Sequence, residues 1–313
     1  GNGKFGLGFG RGMAATEAVI NLLNTGDEVI AANDMYGGTY RLFTKIYEKY
    51  GLKFHFVDMQ DADNIKEHIN ANTKLIWTET PTNPMMNIID IAAVAAIAKQ
   101  HNILVCVDNT FASPYLQTPL DLGADIVLHS ATKYLGGHSD VVHGCLIMND
   151  ATLTEKLTFI QNSCGAVPGP QDCFLVLRGL KTLHIRMQRH CENGEKIANW
   201  LRSNAKVDRV LWCGFQDHPN YAIAKKQMRG FGGMISFTLK DDSIEAANKV
   251  LSTTKLFSLA ESLGGVESLI GHPASMTHAS IPREDRIKNG LTDSLIRLSV
   301  GIEDIDDLIE DLD

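Results

Sequence analysis

The sequence predicts an α/β fold, with a large domain built on a mostly parallel sheet and a smaller C-terminal α+β domain. Three observations carry this. Between residues 13 and 148, short apolar runs of strand length alternate with stretches of helical periodicity, as strands joined by crossover helices require. After residue 206 that alternation is lost. Three residues able to carry chemistry, Glu79, Asp108 and Lys133, fall at or just past the ends of predicted strands, where ligands of parallel sheets bind.

Taken in order, residues 13–23 read as a helix and 28–32, a continuous apolar run after Glu28, as a buried strand. A helix over 39–50 and a strand over 53–57 follow. Residues 74–78 form the next strand, 89–101, rich in alanine, a helix, and 103–107 a further strand. Strands at 125–128 and 145–148 complete the large sheet. The stretch 171–204 is compatible with helix throughout, with breaks expected at Gly179 and Gly194. Beyond it, 207–212, 234–239 and 294–298 read as strands, and 243–251 and 304–312 as helices. The expected division is 1–180 for the large domain, 181–205 for a long linking helix and 206–313 for the small domain. No repeat or low-complexity tract interrupts it.

A chain of 313 residues can bury a sizeable core. Its net charge of -8 argues against nucleic acid as a partner, and no basic cluster reverses that. No apolar run reaches membrane-spanning length, and no charged-then-apolar targeting pattern opens the chain. Cys106, Cys145, Cys164, Cys173, Cys191 and Cys213 are scattered without a C-x-x-C pair, which argues against a metal site or a disulfide framework. Cys106 and Cys145 lie in strand-like runs and read as reduced packing residues of a cytoplasmic protein.

The most informative segment is Leu128-His129-Ser130-Ala131-Thr132-Lys133-Tyr134-Leu135-Gly136-Gly137. An ammonium at the exit of a buried strand loses hydration, so its pKa falls and the amine becomes able to attack a carbonyl. Ser130 and Thr132 alternate along the backbone, so both hydroxyls can point toward a phosphate. Asp108 follows Val105-Cys106-Val107, a carboxylate at a second strand end. Gly12 and Met13 open the first helix, where free backbone N–H groups attract an anion. Arg297 interrupts the apolar strand of Ser294-Leu295-Ile296-Arg297-Leu298-Ser299-Val300-Gly301, and a buried arginine calls for a carboxylate, either internal or from a ligand. His138 reads as a packing residue.

Together these motifs resemble the cysteine/methionine-metabolism enzymes that use pyridoxal 5'-phosphate, the cystathionine γ-lyase and γ-synthase family, over essentially the whole chain. The resemblance implies a fold-type-I PLP-dependent transferase architecture, similar to aspartate aminotransferase. It implies that Lys133 carries the cofactor and later acts as general base, and that Asp108 pairs with the ring nitrogen. Tyr36, in Asp34-Met35-Tyr36-Gly37-Gly38, would stack on the ring and take part in proton transfer. Gly12, Met13, Ser130 and Thr132 would hold the phosphate. Asn83, in the proline-bound loop Glu79-Thr80-Pro81-Thr82-Asn83-Pro84, would contact both cofactor and substrate carboxylate, while Glu79 would organise that loop.

On the substrate side the resemblance implies Arg297 for the α-carboxylate, Ser262 for orienting lysine and substrate, and Thr277 for holding either the nearby aspartate or the substrate loop in place. Glu261 stands where relatives acting at the β carbon usually carry an aromatic residue; it either receives the ammonium of a long substrate or is a solvated loop charge. Gly38 stands where methionine γ-lyases usually carry cysteine. Arg11 stands where the family usually has a small hydroxyl residue, and either adds charge to the phosphate cup or points to solvent.

The expected reaction is γ-elimination of L-cystathionine to cysteine, 2-oxobutanoate and ammonia. The alternatives are γ-replacement of O-acylhomoserine by cysteine, then methionine γ-lyase, cystathionine β-lyase or a non-catalytic relative. A nucleotide-binding doubly wound domain lacks its G-x-G-x-x-G turn here. The resemblance also implies a homotetramer built as a dimer of dimers. A leading segment is expected ahead of Gly1, supplying a tyrosine and an arginine to the neighbouring subunit's phosphate.

Overall fold

Seven strands form the larger sheet: β1 (Phe5–Phe9), β2 (Glu28–Ala32), β3 (Lys53–Val57), β4 (Thr73–Glu79), β5 (Leu104–Asp108), β6 (Ile126–Ser130) and β7 (Gly144–Met148). The structure is a computed structural model and describes residues 2–278 and 283–313. The strand order in this sheet is β1-β7-β6-β5-β4-β2-β3, with β3, β2, β4, β5 and β6 parallel and β7 antiparallel to both its neighbours, β6 and the edge strand β1. The smaller sheet has the order β10-β11-β12-β9-β8, from β8 (Val207–Leu211), β9 (Met234–Leu239), β10 (Ser258–Leu259), β11 (Leu269–Gly271) and β12 (Ile296–Ser299).

The helices of the first half are α1 (Gly12–Ile20), α2 (Gly37–Arg41), α3 (Ile91–Gln100), α4 (Ser113–Leu116) and α5 (Ala151–Cys164). Those that follow are α6 (Pro170–Leu180), α7 (Leu183–Ser203), α8 (Tyr221–Gln227), α9 (Ile244–Thr253), α10 (Arg283–Lys288) and α11 (Ile305–Leu312).

The central strands are apolar on both faces because both faces are covered. Alternate residues serve different cores: Val29, Trp77 and Cys106 pack with Val19 and Ile20 of α1, whereas Ile30, Ile76 and Val105 pack with Val94 and Ile97 of α3. The long α7 joins two further cores. Its Leu183 and Met187 pack beneath the Lys133 segment, and Ile197, Ala198 and Leu201 pack on Ile235, Phe237 and Leu298 of the smaller sheet.

Most expected elements are present with shifted ends. Residues 171–204 form two helices rather than one, and the break falls at Lys181 and Thr182 instead of at the glycines. Gly194 lies inside α7, where a Cβ would come within 2.5 Å of the Gly232 carbonyl oxygen, so close packing explains it. The helix expected over 39–50 starts as α2 and continues as a π turn over Leu42–Tyr47. Strand β1 was not foreseen, nor were α4, α5, α8, α10, β10 and β11. His138 is exposed, not packed, and its ring Nδ1 lies 2.8 Å from the Gly136 carbonyl oxygen.

Candidate active site

The parallel strands β4, β5 and β6 all end at one cavity of about 260 Å³, open to solvent. Glu79, Asp108 and Ser130 are their last residues. The twelve residues singled out from the sequence all line this cavity: Gly12 and Met13 from α1, Tyr36 and Asn83 from loops, Asp108, Ser130, Thr132, Lys133, then Glu261, Ser262, Thr277 and Arg297.

Lys133 lies three residues past the end of β6, and its Nζ donates to Ser262 Oγ at 2.9 Å. Its pKa is pushed down to about 8, mainly by burial, with the charges of Arg297 and Arg11 adding to this and Glu261 opposing it. That is the protonation behaviour a nucleophilic amine needs. Asp108 accepts at Oδ1 from the Thr110 amide at 3.0 Å and the Thr110 hydroxyl at 2.5 Å. Burial raises its pKa to about 6 despite these two bonds.

Tyr36 is held from two sides. Its amide N–H donates to Glu79 Oε2 at 3.1 Å. A Cβ on Gly38 would fall 2.4 Å from the Tyr36 ring, and one on Gly37 would fall 2.2 Å from the Thr277 carbonyl oxygen. The two glycines therefore make room for the ring and let the Thr277 segment close on the loop. Thr277 in turn donates its hydroxyl to His278 Nδ1 at 2.8 Å, because His278 Nε2 faces the carbonyl oxygens of Met35 (3.3 Å) and Asn83 (3.1 Å) and must carry the proton there. His278 thus ties the Tyr36 loop to the Asn83 loop, and burial holds its pKa down at about 4.

Arg297 sits on β12, 3% exposed. It donates to Asn83 Oδ1 at 3.0 Å and to the carbonyl oxygens of Glu261 (2.9 Å) and Ser262 (3.1 Å). Among the described residues no ion pair involves it. The carboxylate that a buried guanidinium calls for is therefore not supplied from within these residues, and burial lowers its pKa to about 10. Glu261, by contrast, is exposed at the cavity wall.

At the α1 end, Ser130 and Thr132 line the cavity together with Gly12 and Met13, the first residues of the helix. A Cβ on Gly12 would sit 3.0 Å from Ser130 Cβ, so the glycine lets the helix start reach the strand end. The Thr132 hydroxyl already exchanges bonds with His143, donating to its carbonyl at 3.2 Å and accepting from its amide at 3.0 Å. A phosphorylated aldehyde would find here an anion pocket at a helix start, an amine of lowered pKa, and a carboxylate at a strand end.

Sequence reasoning gave Glu79 only a loop-organising part and had no place for Thr110 or His278. Glu79 signalled itself only as a polar residue at a strand end; His278 gave no signal, because its partners lie 195 and 243 residues away.

Comparison with known proteins places the chain in a family. The sequence model of the family described as Cys/Met metabolism PLP-dependent enzymes matches residues 1–313. The chain is 54% identical to the cystathionine beta-lyase of Coxiella burnetii over all of this chain and 81% of that protein. It is 53% identical to the cystathionine gamma-lyase of Dictyostelium discoideum over 99% of this chain and 80% of that protein. The crystal structure of cystathionine gamma-lyase from Lactobacillus plantarum complexed with L-serine superposes with a TM-score of 0.96 at 48% identity, covering 99% of this chain and 81% of that one. With the fold, the cavity and the sequence in agreement, the chain belongs to the Cys/Met metabolism family of pyridoxal-phosphate-dependent enzymes.

Proposed function

We propose that this enzyme cleaves the Cγ–S bond of L-cystathionine, taking up one water and releasing cysteine, 2-oxobutanoate and ammonia. The observation that carries the γ position is Glu261. It is a carboxylate on the loop that brings Ser262 to Lys133, and it lines the same cavity as Arg297. A substrate held at its α-carboxylate by Arg297 can then present its distal ammonium to Glu261.

Pyridoxal phosphate, the cofactor of the family, supplies the electron sink that acidifies the substrate's Cα–H. Lys133 would hold it covalently at rest, Asp108 would face the ring nitrogen, Tyr36 would stack on the ring, and Gly12, Met13, Ser130 and Thr132 would surround the phosphate. Asn83 would bridge cofactor and substrate carboxylate. Lys133, neutral in part at a pKa of about 8, takes the proton from Cα as general base. A second proton leaves Cβ, and the sulfur departs as the thiol of cysteine, protonated from the Tyr36 side of the cavity. Ser262 steers Lys133 Nζ between its positions, and Thr277 keeps the Tyr36 loop closed.

A second reading, β-cleavage to homocysteine, pyruvate and ammonia, is favoured by the relatives named cystathionine beta-lyase at 52 to 54% identity. A product assay on L-cystathionine separates the two: 2-oxobutanoate with cysteine supports the γ reading, and pyruvate with homocysteine replaces it. Faster formation of cystathionine from O-acylhomoserine and cysteine would make the enzyme a synthase instead.

We further propose a homotetramer assembled from dimers. Phe174 (57% exposed), Leu177 (62%) and Ile185 (58%) place large apolar side chains on the surface of α6 and the start of α7, as a subunit interface would. Sedimentation at micromolar concentration tests it, and an active monomer would refute it. All six cysteines are free thiols, in keeping with a cytoplasmic enzyme. No described helix is long and apolar enough to cross a membrane.

A further inference from the structure

Three cations line the cavity: Arg11, Lys133 and Arg297. Two are committed. Lys133 donates to Ser262, and Arg297 to Asn83, Glu261 and Ser262. Arg11 takes part in none of the side-chain hydrogen bonds or ion pairs of the described residues, and as the residue preceding α1 it gives that helix no side-chain cap.

Its position is informative. Within α1 the first satisfied donors are the amides of Ala14 and Ala15, which bond to the Arg11 carbonyl at 3.1 and 3.2 Å. The N–H groups of Gly12 and Met13 precede that ladder and are left for an anion. Of the two hydroxyls beside them, that of Thr132 has its proton on the His143 carbonyl, which leaves Ser130 as the ready side-chain donor. Within this chain, these two amides and one hydroxyl are all neutral donors, whereas the group they would hold is a dianion. Arg11 is exposed to solvent and at the same time lines the cavity.

We propose that Arg11 is a phosphate-binding residue, supplying from within the same chain the guanidinium that grips the phosphate of pyridoxal phosphate at the start of α1. The planar fork of arginine suits two phosphate oxygens at once, and its fixed charge complements the helix terminus. The inference rests on the phosphate lying at the α1 end of the cavity, and the test below separates that premise from the role of Arg11.

The experiment compares cofactor-stripped wild type with Arg11→Ala, Arg11→Lys and Ser130→Ala. Each is titrated with pyridoxal phosphate and with pyridoxal, which lacks the phosphate, reading tryptophan fluorescence and cofactor absorbance. Arg11→Ala should weaken pyridoxal phosphate by about 10- to 100-fold, as loss of a charge-assisted contact does. Pyridoxal should bind it as it binds wild type, and Arg11→Lys should recover part of the loss. Inorganic phosphate should compete less well in the alanine variant. If Arg11→Ala leaves both affinities unchanged while Ser130→Ala discriminates between the two ligands, the phosphate is where expected and Arg11 does not hold it. If neither variant discriminates, the premise itself fails. Equal weakening of both ligands would make Arg11 structural, and a raised KM for cystathionine with unchanged cofactor affinity would make it a substrate residue; either overturns the proposal.

Discussion

Glu79 and Asp108 stand side by side in register at the ends of the neighbouring parallel strands β4 and β5, two buried carboxyl groups lining one cavity. Burial holds the Glu79 carboxyl well above the ordinary carboxylate range, with the charges of Asp108 and Asp34 adding to it and that of Arg297 opposing it. The pair shares its environment, so one carboxyl of the two keeps a proton where an isolated one would lose it.

The raised pKa favours the protonated form of the Glu79 carboxyl, which in either form offers an oxygen to the Tyr36 amide. Glu79→Gln keeps an oxygen in that place and should retain near wild-type kcat and stability. Glu79→Ala leaves a buried N–H without its partner and should lower stability by about 1–3 kcal/mol, with a fall in kcat as the Tyr36 loop loosens. Denaturant melts and steady-state rates on both variants decide it. A glutamine variant as damaged as the alanine one would mean that the carboxylate is ionised and acts through its charge.

Arg297 has no carboxylate partner among the described residues, and this is the basis for proposing it as the grip on the substrate's α-carboxylate. Arg297→Ala should raise KM for cystathionine by about 10- to 100-fold, the range for a lost charge-assisted contact, while the cofactor remains bound. Because its charge also holds down the pKa of Lys133, the pH at which that amine becomes neutral should rise in the variant. Loss of cofactor binding with unchanged KM in the remaining loaded enzyme would mark the arginine as structural. Arg297→Lys, which keeps the charge, guards against a variant that merely fails to fold.

Away from the cavity, Glu28 gives a test on stability. Asn70, then His55 and Lys53, bond to its carboxylate and hold its pKa down at about 2, against an ordinary 4.5. A depressed carboxyl pKa stabilises the fold at pH values above 4.5, and this contribution is lost as pH falls through about 2. The Tm of Glu28→Gln should thus lie about 2–4 °C below wild type near neutrality. The gap should narrow steadily below pH 4.5 and close near pH 2. A gap that stays constant over that range would show that hydrogen bonding alone, without the charge, accounts for it.

Local pattern made much of this legible. The run into Lys133, the strand before Asp108 and the arginine within β12 each break a local rule, a charge set in or beside a buried strand, and all line the cavity. What stayed hidden depends on partners far along the chain. The part played by Glu79 follows from β4 lying next to β5, which fixes its carboxyl beside that of Asp108. His278 bridges Met35 and Asn83, a relation that no spacing encodes. Strand β1, Phe-Gly-Leu-Gly-Phe, gave no signal because its glycines weaken strand propensity and it lies at the sheet edge. Gly194 misled because close packing against Gly232, not a helix end, requires it.

The central claim is that Lys133 carries the cofactor, and one measurement meets it directly. The loaded enzyme is reduced with borohydride over a range of pH, digested, and mapped by mass spectrometry. The pyridoxyl group should be found on Nζ of Lys133, and capture of added cofactor by the stripped enzyme should quicken as pH rises through about 8, the pKa to which burial lowers this amine. A pyridoxyl group on any other lysine would contradict the account.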